Sequence, residues 1–98
     1  MPVDHIRETV MEMHQVRYFL AVAEELNFTR ASEKCNVTRP SLSRAIKILE
    51  EELGGPLFRR ERESIRLTDL GNLVRPHLQS VYDHSRLVRR LSQDFVRK

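Results

Sequence analysis

A mainly α-helical fold follows from three features of this 98-residue sequence. Apolar residues recur at helical spacing over 14–26, 42–53 and 70–95. Cap-type residues and short polar breaks separate the first segments from one another. Only 3 Gly and 4 Pro are present, too few for an all-β fold with many tight turns. The arrangement predicted in detail is three helices, a short β-hairpin and one long C-terminal helix. This is a winged helix-turn-helix followed by a linker or dimerisation helix.

The elements follow in order. Residues 1–12, MPVDHIRETVME, are mixed and polar, with isolated apolar spots at Ile6 and Val10. They read as an N-terminal extension upstream of a second start at Met11 or Met13, with a short helix running into the next as the rival reading. From about His14 to Leu26, Val16, Phe19, Leu20, Ala23 and Leu26 form an amphipathic stripe that Val22 widens. Asn27-Phe28-Thr29 interrupts it. Thr29 can cap a second short helix through its hydroxyl while Phe28 packs beneath. That helix reaches Lys34 or Cys35, and Asn36 suits the left-handed turn that leaves it.

Thr38 caps a third helix, with Pro40 in its first turn, where a missing N–H does little harm. Gly54-Gly55-Pro56 stops it after Leu53. Two extended stretches, Leu57-Phe58-Arg59 and Ile65-Arg66-Leu67, flank the charged connection Arg60-Glu61-Arg62-Glu63-Ser64 and read as a hairpin whose turn lacks Gly, Asn and Asp. Thr68-Asp69 opens the last helix by capping and by placing a carboxylate at the positive end of the helix dipole. Leu70, Val74, His77, Val81, His84, Val88, Leu91 and Phe95 then alternate steps of four and three, a heptad seam that implies a partner helix, most simply from a second copy. Pro76 is expected to kink this helix. His77 and His84 lie one heptad apart, either as a pH-sensitive pair or, the preferred reading, as side chains reaching solvent at the seam edge.

Composition bounds the function. With 17 Lys and Arg against 14 Asp and Glu, the net charge is +3, and mild basicity by itself says little about nucleic acid. The distribution says more, because Arg39, Arg44, Lys47, Arg59, Arg60, Arg62 and Arg66 crowd one stretch. The acids there fall mainly in Glu50-Glu51-Glu52, read as a solvated helix face. One cysteine, Cys35, cannot form an internal disulfide and fits a reducing, cytoplasmic setting. No run is long and apolar enough for a membrane span, and no secretory leader is recognisable. Cysteine–histidine zinc spacing, a phosphate-cradling Gly-rich loop and a nucleophile elbow are all lacking, so no catalytic residue, metal site or cofactor is expected.

The third helix carries the candidate chemistry. Leu42, Ile46, Leu49 and Leu53 form its oily face, and Ser43, Arg44 and Lys47 point the other way. The bland reading of such residues is a solvated face. Against it stands the position of Arg44, one turn into a helix and flanked by small groups, from which a forked guanidinium reaches a phosphate or a guanine edge. Arg39 sits where a groove-inserted helix first meets bases. Ser41 and Ser43 can touch phosphates, although capping explains Ser41 equally well. Thr29 and Arg30 place amides and a cation at the DNA backbone. Arg59, Arg60 and Arg62 can clamp phosphates or enter the minor groove, opposed by the interleaved Glu61 and Glu63.

The run RYFLAVAEELNFTRASEKCNVTRPSLSRAIKILEEELGGPLFRR, followed by IRLTDLG, resembles the N-terminal region of LysR-type transcriptional regulators of bacteria, from about Met13 to the end of the chain. The resemblance implies a winged helix-turn-helix and a long linker helix through which two subunits pair. It also implies operator binding through Arg39, Pro40, Ser43 and Arg44, with help from the wing, where Arg60 occupies the arginine of the Leu-Phe-x-Arg pattern. Three departures stand out. Most members have glutamine at the position of Arg39, the wing tip holds Glu61, Glu63 and Ser64 rather than Gly and more Arg, and the large effector-binding domain is missing.

The expected organisation is an extension at 1–12, a DNA-binding domain at 13–67 and a linker helix at 68–98. The expected function is sequence-specific binding of double-stranded DNA by a homodimer on an inverted repeat. Pairing runs through Leu70, Val74, Val81, Val88, Leu91 and Phe95, with no membrane and no small-molecule effector site in this chain. The alternative is an interaction module whose last helix forms mixed dimers with a full-length regulator.

Overall fold

A computed structural model describes residues 10–97. The elements are α1 (Met13–Glu25), α2 (Phe28–Cys35), α3 (Arg39–Leu53), β1 (Phe58–Glu61), β2 (Ser64–Leu67) and α4 (Asp69–Arg97). The strands pair antiparallel, with Phe58 opposite Leu67 and Glu61 opposite Ser64, which leaves Arg62-Glu63 as a two-residue turn. The expectations for residues 1–9 lie outside the described residues. Met11 and Glu12, read above as part of an extension, take part in the fold. Met11 packs against the core, and Glu12 forms a reciprocal capping box with Gln15 at the start of α1.

Helix boundaries follow local chemistry. Thr38 Oγ1 accepts from Ser41 N–H at 3.2 Å, and Gly54 takes the left-handed conformation (φ 91°) that ends α3. Asn36 does the same for α2 at φ 59°. Thr68 caps α4 as expected: its hydroxyl accepts from Gly71 N–H at 3.0 Å and donates to the Pro56 carbonyl at 2.7 Å. The α2 cap is a correction. Asn27, not Thr29, is the capping residue, its Oδ1 accepting from Arg30 N–H at 2.8 Å. Thr29 lies inside the helix with its side chain exposed. Leu26 is not part of the buried stripe of α1 either. It is the left-handed C-cap and is 43% exposed.

α1 runs through the middle of the core. Ala21 and Val22 pack with Ala31 and Cys35 of α2, Leu42 and Ile46 of α3, and Ile65 of β2. Val16, Phe19 and Ala23 pack with Leu49, Leu57 and Leu78. Because helices lie on more than one side of α1, it is buried over a wider arc than a single stripe. Phe58 joins both clusters, with ring centroids 5.4 Å from Phe19 and 6.1 Å from Phe28, and this roots the hairpin on the helical body.

The long helix continues through Pro76 to Arg97. Its apolar residues divide between two tasks, which corrects the expectation of one continuous seam. Leu70, Val74, Leu78 and Tyr82 pack onto this chain's own core. Val81, Val88, Leu91 and Phe95 are exposed, as is Leu73, which the heptad reading passed over.

The acidic run also departs from a plain solvated face. Glu50 Oε2 accepts from Leu57 N–H at 2.8 Å and ties the end of α3 to the entry of the wing, while Glu51 is exposed.

Candidate nucleic-acid interface

α3 has two unlike faces. Leu42, Ala45, Ile46 and Leu49 are buried, whereas Arg39, Pro40, Arg44 and Lys47 are exposed and Ser41 and Ser43 half-buried. The helical period places Leu42, Ile46 and Leu49 on one side and Arg44 and Lys47 across from them. Ser41 takes part in the cap network, since Thr38 Oγ1 also donates to Ser41 Oγ at 2.9 Å.

A groove of about 210 Å³ brings the α2 start, the α3 start and the wing together, lined by Thr29, Arg39, Arg60, Arg62 and Glu63 among others. These four predicted residues, Thr29 and three arginines, come from separate stretches of sequence. Arg60 shares the inner hairpin face with Phe58 and Ile65, and its guanidinium lies over the Phe28 ring, 5.7 Å from the centroid. Arg62 occupies the first turn position at φ 53°, unusual for a residue with a Cβ. Positive φ at the first of two central positions is the pattern of a type II′ hairpin turn, which supplies the geometry the sequence left open.

Arg59 is separated from this group. It alternates to the other hairpin face, opposite Arg66, where Glu61 approaches Arg59 at 4.0 Å and Arg66 at 3.7 Å. Cross-strand arginines would repel, and the carboxylate between them offsets that. Glu61 is thus engaged with arginines of its own hairpin, while Glu63 lines the groove and subtracts from its positive field. Arg66 was not among the candidate contacts, although strand alternation places it beside Arg59. Arg30 also differs in availability from Arg44: its Nε lies 3.5 Å from Glu25 Oε1.

The shifted titrations lie elsewhere. The Lys34 hydrogen bond at 2.6 Å holds the Glu24 carboxyl below its usual range, and the same bond raises Lys34. Burial pushes the Cys35 thiol up. Among the described residues, no three or more His, Cys, Asp or Glu side chains gather as a metal site, and no helix is long and apolar enough to cross a membrane.

Known proteins share this arrangement. The profile of bacterial regulatory helix-turn-helix proteins of the lysR family matches residues 13–72. The chain is 52% identical over 63 residues to a probable cat1 operon transcriptional activator of Acinetobacter lwoffii, covering 64% of this chain and 21% of that protein. Among solved structures, the BenM DNA-binding domain in complex with catB site 1 DNA superposes with a TM-score of 0.82 at 32% identity, covering 88% of this chain and 96% of that one. Vibrio fischeri DarR in complex with DNA gives 0.85 at 30% identity, covering 91% of this chain and 30% of that one. The chain spans less than half the length of the curated relatives it matches. With the family profile lying across α1 to the start of α4 and the helix-turn-helix and hairpin in place, the chain belongs to the LysR family of bacterial regulatory helix-turn-helix proteins.

Proposed function

We propose that this chain is the DNA-binding part of a LysR-type transcriptional regulator, recognising double-stranded DNA sequence-specifically as a dimer on an inverted repeat. The reading assigns it no catalysis and places it in the cytoplasm. The observation that carries it is the outer face of α3, where Arg44 and Lys47 are exposed opposite buried Leu42, Ile46 and Leu49, with Arg39 exposed at the helix start. On this reading residues 13–67 bind DNA. α3 enters the major groove, and Thr29, Arg30 and the wing arginines hold the backbone on either side.

Residues 68–98 pair with a second copy through Val81, Val88, Leu91 and Phe95, whose exposure leaves them open to a partner helix. Leu70 and Val74 contribute by fixing α4 on the body rather than by meeting the partner. Two identical units then match a site with two half-sites about one helical turn apart or a multiple of it.

The test is an anisotropy titration against duplexes selected from a random pool. Arg44→Ala weakens binding by about 1–3 kcal/mol, and binding falls by about 0.9 log units per tenfold salt for each phosphate contact. Unchanged affinity of the Arg44 variant, with no selected consensus, would count against the assignment.

A further inference from the structure

We propose that Arg39 is a specificity-determining residue that reads a guanine edge in the major groove, rather than serving as a general phosphate clamp. The inference rests on the DNA-binding reading and deepens it. Arg39 is the first residue of α3, exposed, with no ion pair among the described residues and no acidic residue in the first turn. A cation there faces the positive end of the helix dipole, an unfavourable position that folding alone does not select.

The amides around Arg39 distinguish base from backbone. A helix start that seats a phosphate offers several free N–H groups. At α3, Pro40 has none, Ser41 N–H is taken by Thr38 Oγ1 at 3.2 Å, and Leu42 N–H is bonded to the Thr38 carbonyl at 3.0 Å. Only the amide of Arg39 itself remains, so this end is poorly built for a phosphate.

At α2 the Asn27 cap takes only the Arg30 amide, which leaves those of Phe28 and Thr29, and the wing adds Arg60 and Arg62 across the groove. These groups offer the backbone its contacts beside α3; Arg39 lines the same groove from the α3 start, its planar fork unpaired among the described residues and open to a base. Of the base edges in the major groove, guanine O6 and N7 are the pair that accepts both arms of a guanidinium. Glutamine at the same position pairs instead with adenine N6 and N7.

The experiment is selection of bound duplexes from a random pool by the 98-residue chain, by Arg39→Gln and by Arg39→Ala, with salt titrations of each. A bidentate contact predicts a guanine in each half-site preferred by about 5- to 150-fold in the parent. That column turns to adenine in Arg39→Gln and loses its preference in Arg39→Ala, with the remaining columns unchanged. Equal consensus sites for all three proteins, with the variants weaker on every sequence and their salt slopes reduced by about one, identify a phosphate contact and overturn the guanine assignment alone. No consensus for the parent overturns the DNA-binding reading and this inference together.

Discussion

Replacing Gly71 by alanine tests the junction between α4 and the wing. An alanine in place of glycine ordinarily favours a helix by up to about 1 kcal/mol. Here a Cβ would stand 2.4 Å from the Leu57 carbonyl oxygen and 2.8 Å from Leu67 Cδ2. Carbon and oxygen rest at about 3.3 Å or more, so something must move by roughly 0.9 Å. The Leu67 side chain can turn, but the Leu57 carbonyl cannot readily give way. Leu57 is 0% exposed, and its oxygen accepts from Thr68 N–H at 3.0 Å. Overpacking costs about 1–3 kcal/mol, and losing the hydrogen bond adds about 1. Set against the propensity gain, the expected result is a net loss of about 1–3 kcal/mol. Urea denaturation at fixed protein concentration then reads a midpoint lowered by roughly 0.5–2 M with an unchanged slope. A midpoint equal to or above the parent's would refute the close approach of α4 to Leu57 and with it the placement of the wing.

Two further outcomes concern other parts of the molecule. Leu91 is 59% exposed, so Leu91→Glu leaves the subunit folded but places two charges in the proposed helix pair; analytical ultracentrifugation should read a dissociation constant raised roughly 100-fold or more, and an unchanged constant would remove Leu91 from the interface. Cys35 is 5% exposed and burial raises its pKa, which disfavours the thiolate and shields the sulfur; a thiol reagent should react far more slowly than in denaturant, and native-state reaction at the rate of a free thiol would contradict the α1–α2 packing.

Much of the candidate interface is legible because its signals are local. Thr38 and Pro40 start α3, Gly54 ends it and Asn36 turns the chain between the helices, each through φ/ψ or a hydrogen bond within a few residues. The alternation of the hairpin is equally local, but which of Arg59 and Arg60 turns toward the helices is not. That depends on Phe58 packing against Phe19 and Phe28 and on Ile65 entering the α1–α3 cluster. The α2 start carried two cap-type residues two positions apart. Phe28 rests against the wing root as the first residue of the helix, which leaves the cap to Asn27 and frees Thr29 to face the groove.

The sequence by itself determined the element order, the opposed faces of α3 and the family, because periodicity, caps and motif residues are written within short windows. Tertiary structure alone decided that Arg39, Arg60, Arg62 and Thr29 share one groove while Arg59 pairs with Glu61 on the far face. It also divided the apolar residues of α4, with Leu70 and Val74 covered by this chain's core and Val88, Leu91 and Phe95 left open. A helical period specifies which residues share a side of a helix. Which surface covers that side is a property of the packed body, set by the approach of Gly71 to Leu57 and the seating of Phe58 between the two core clusters.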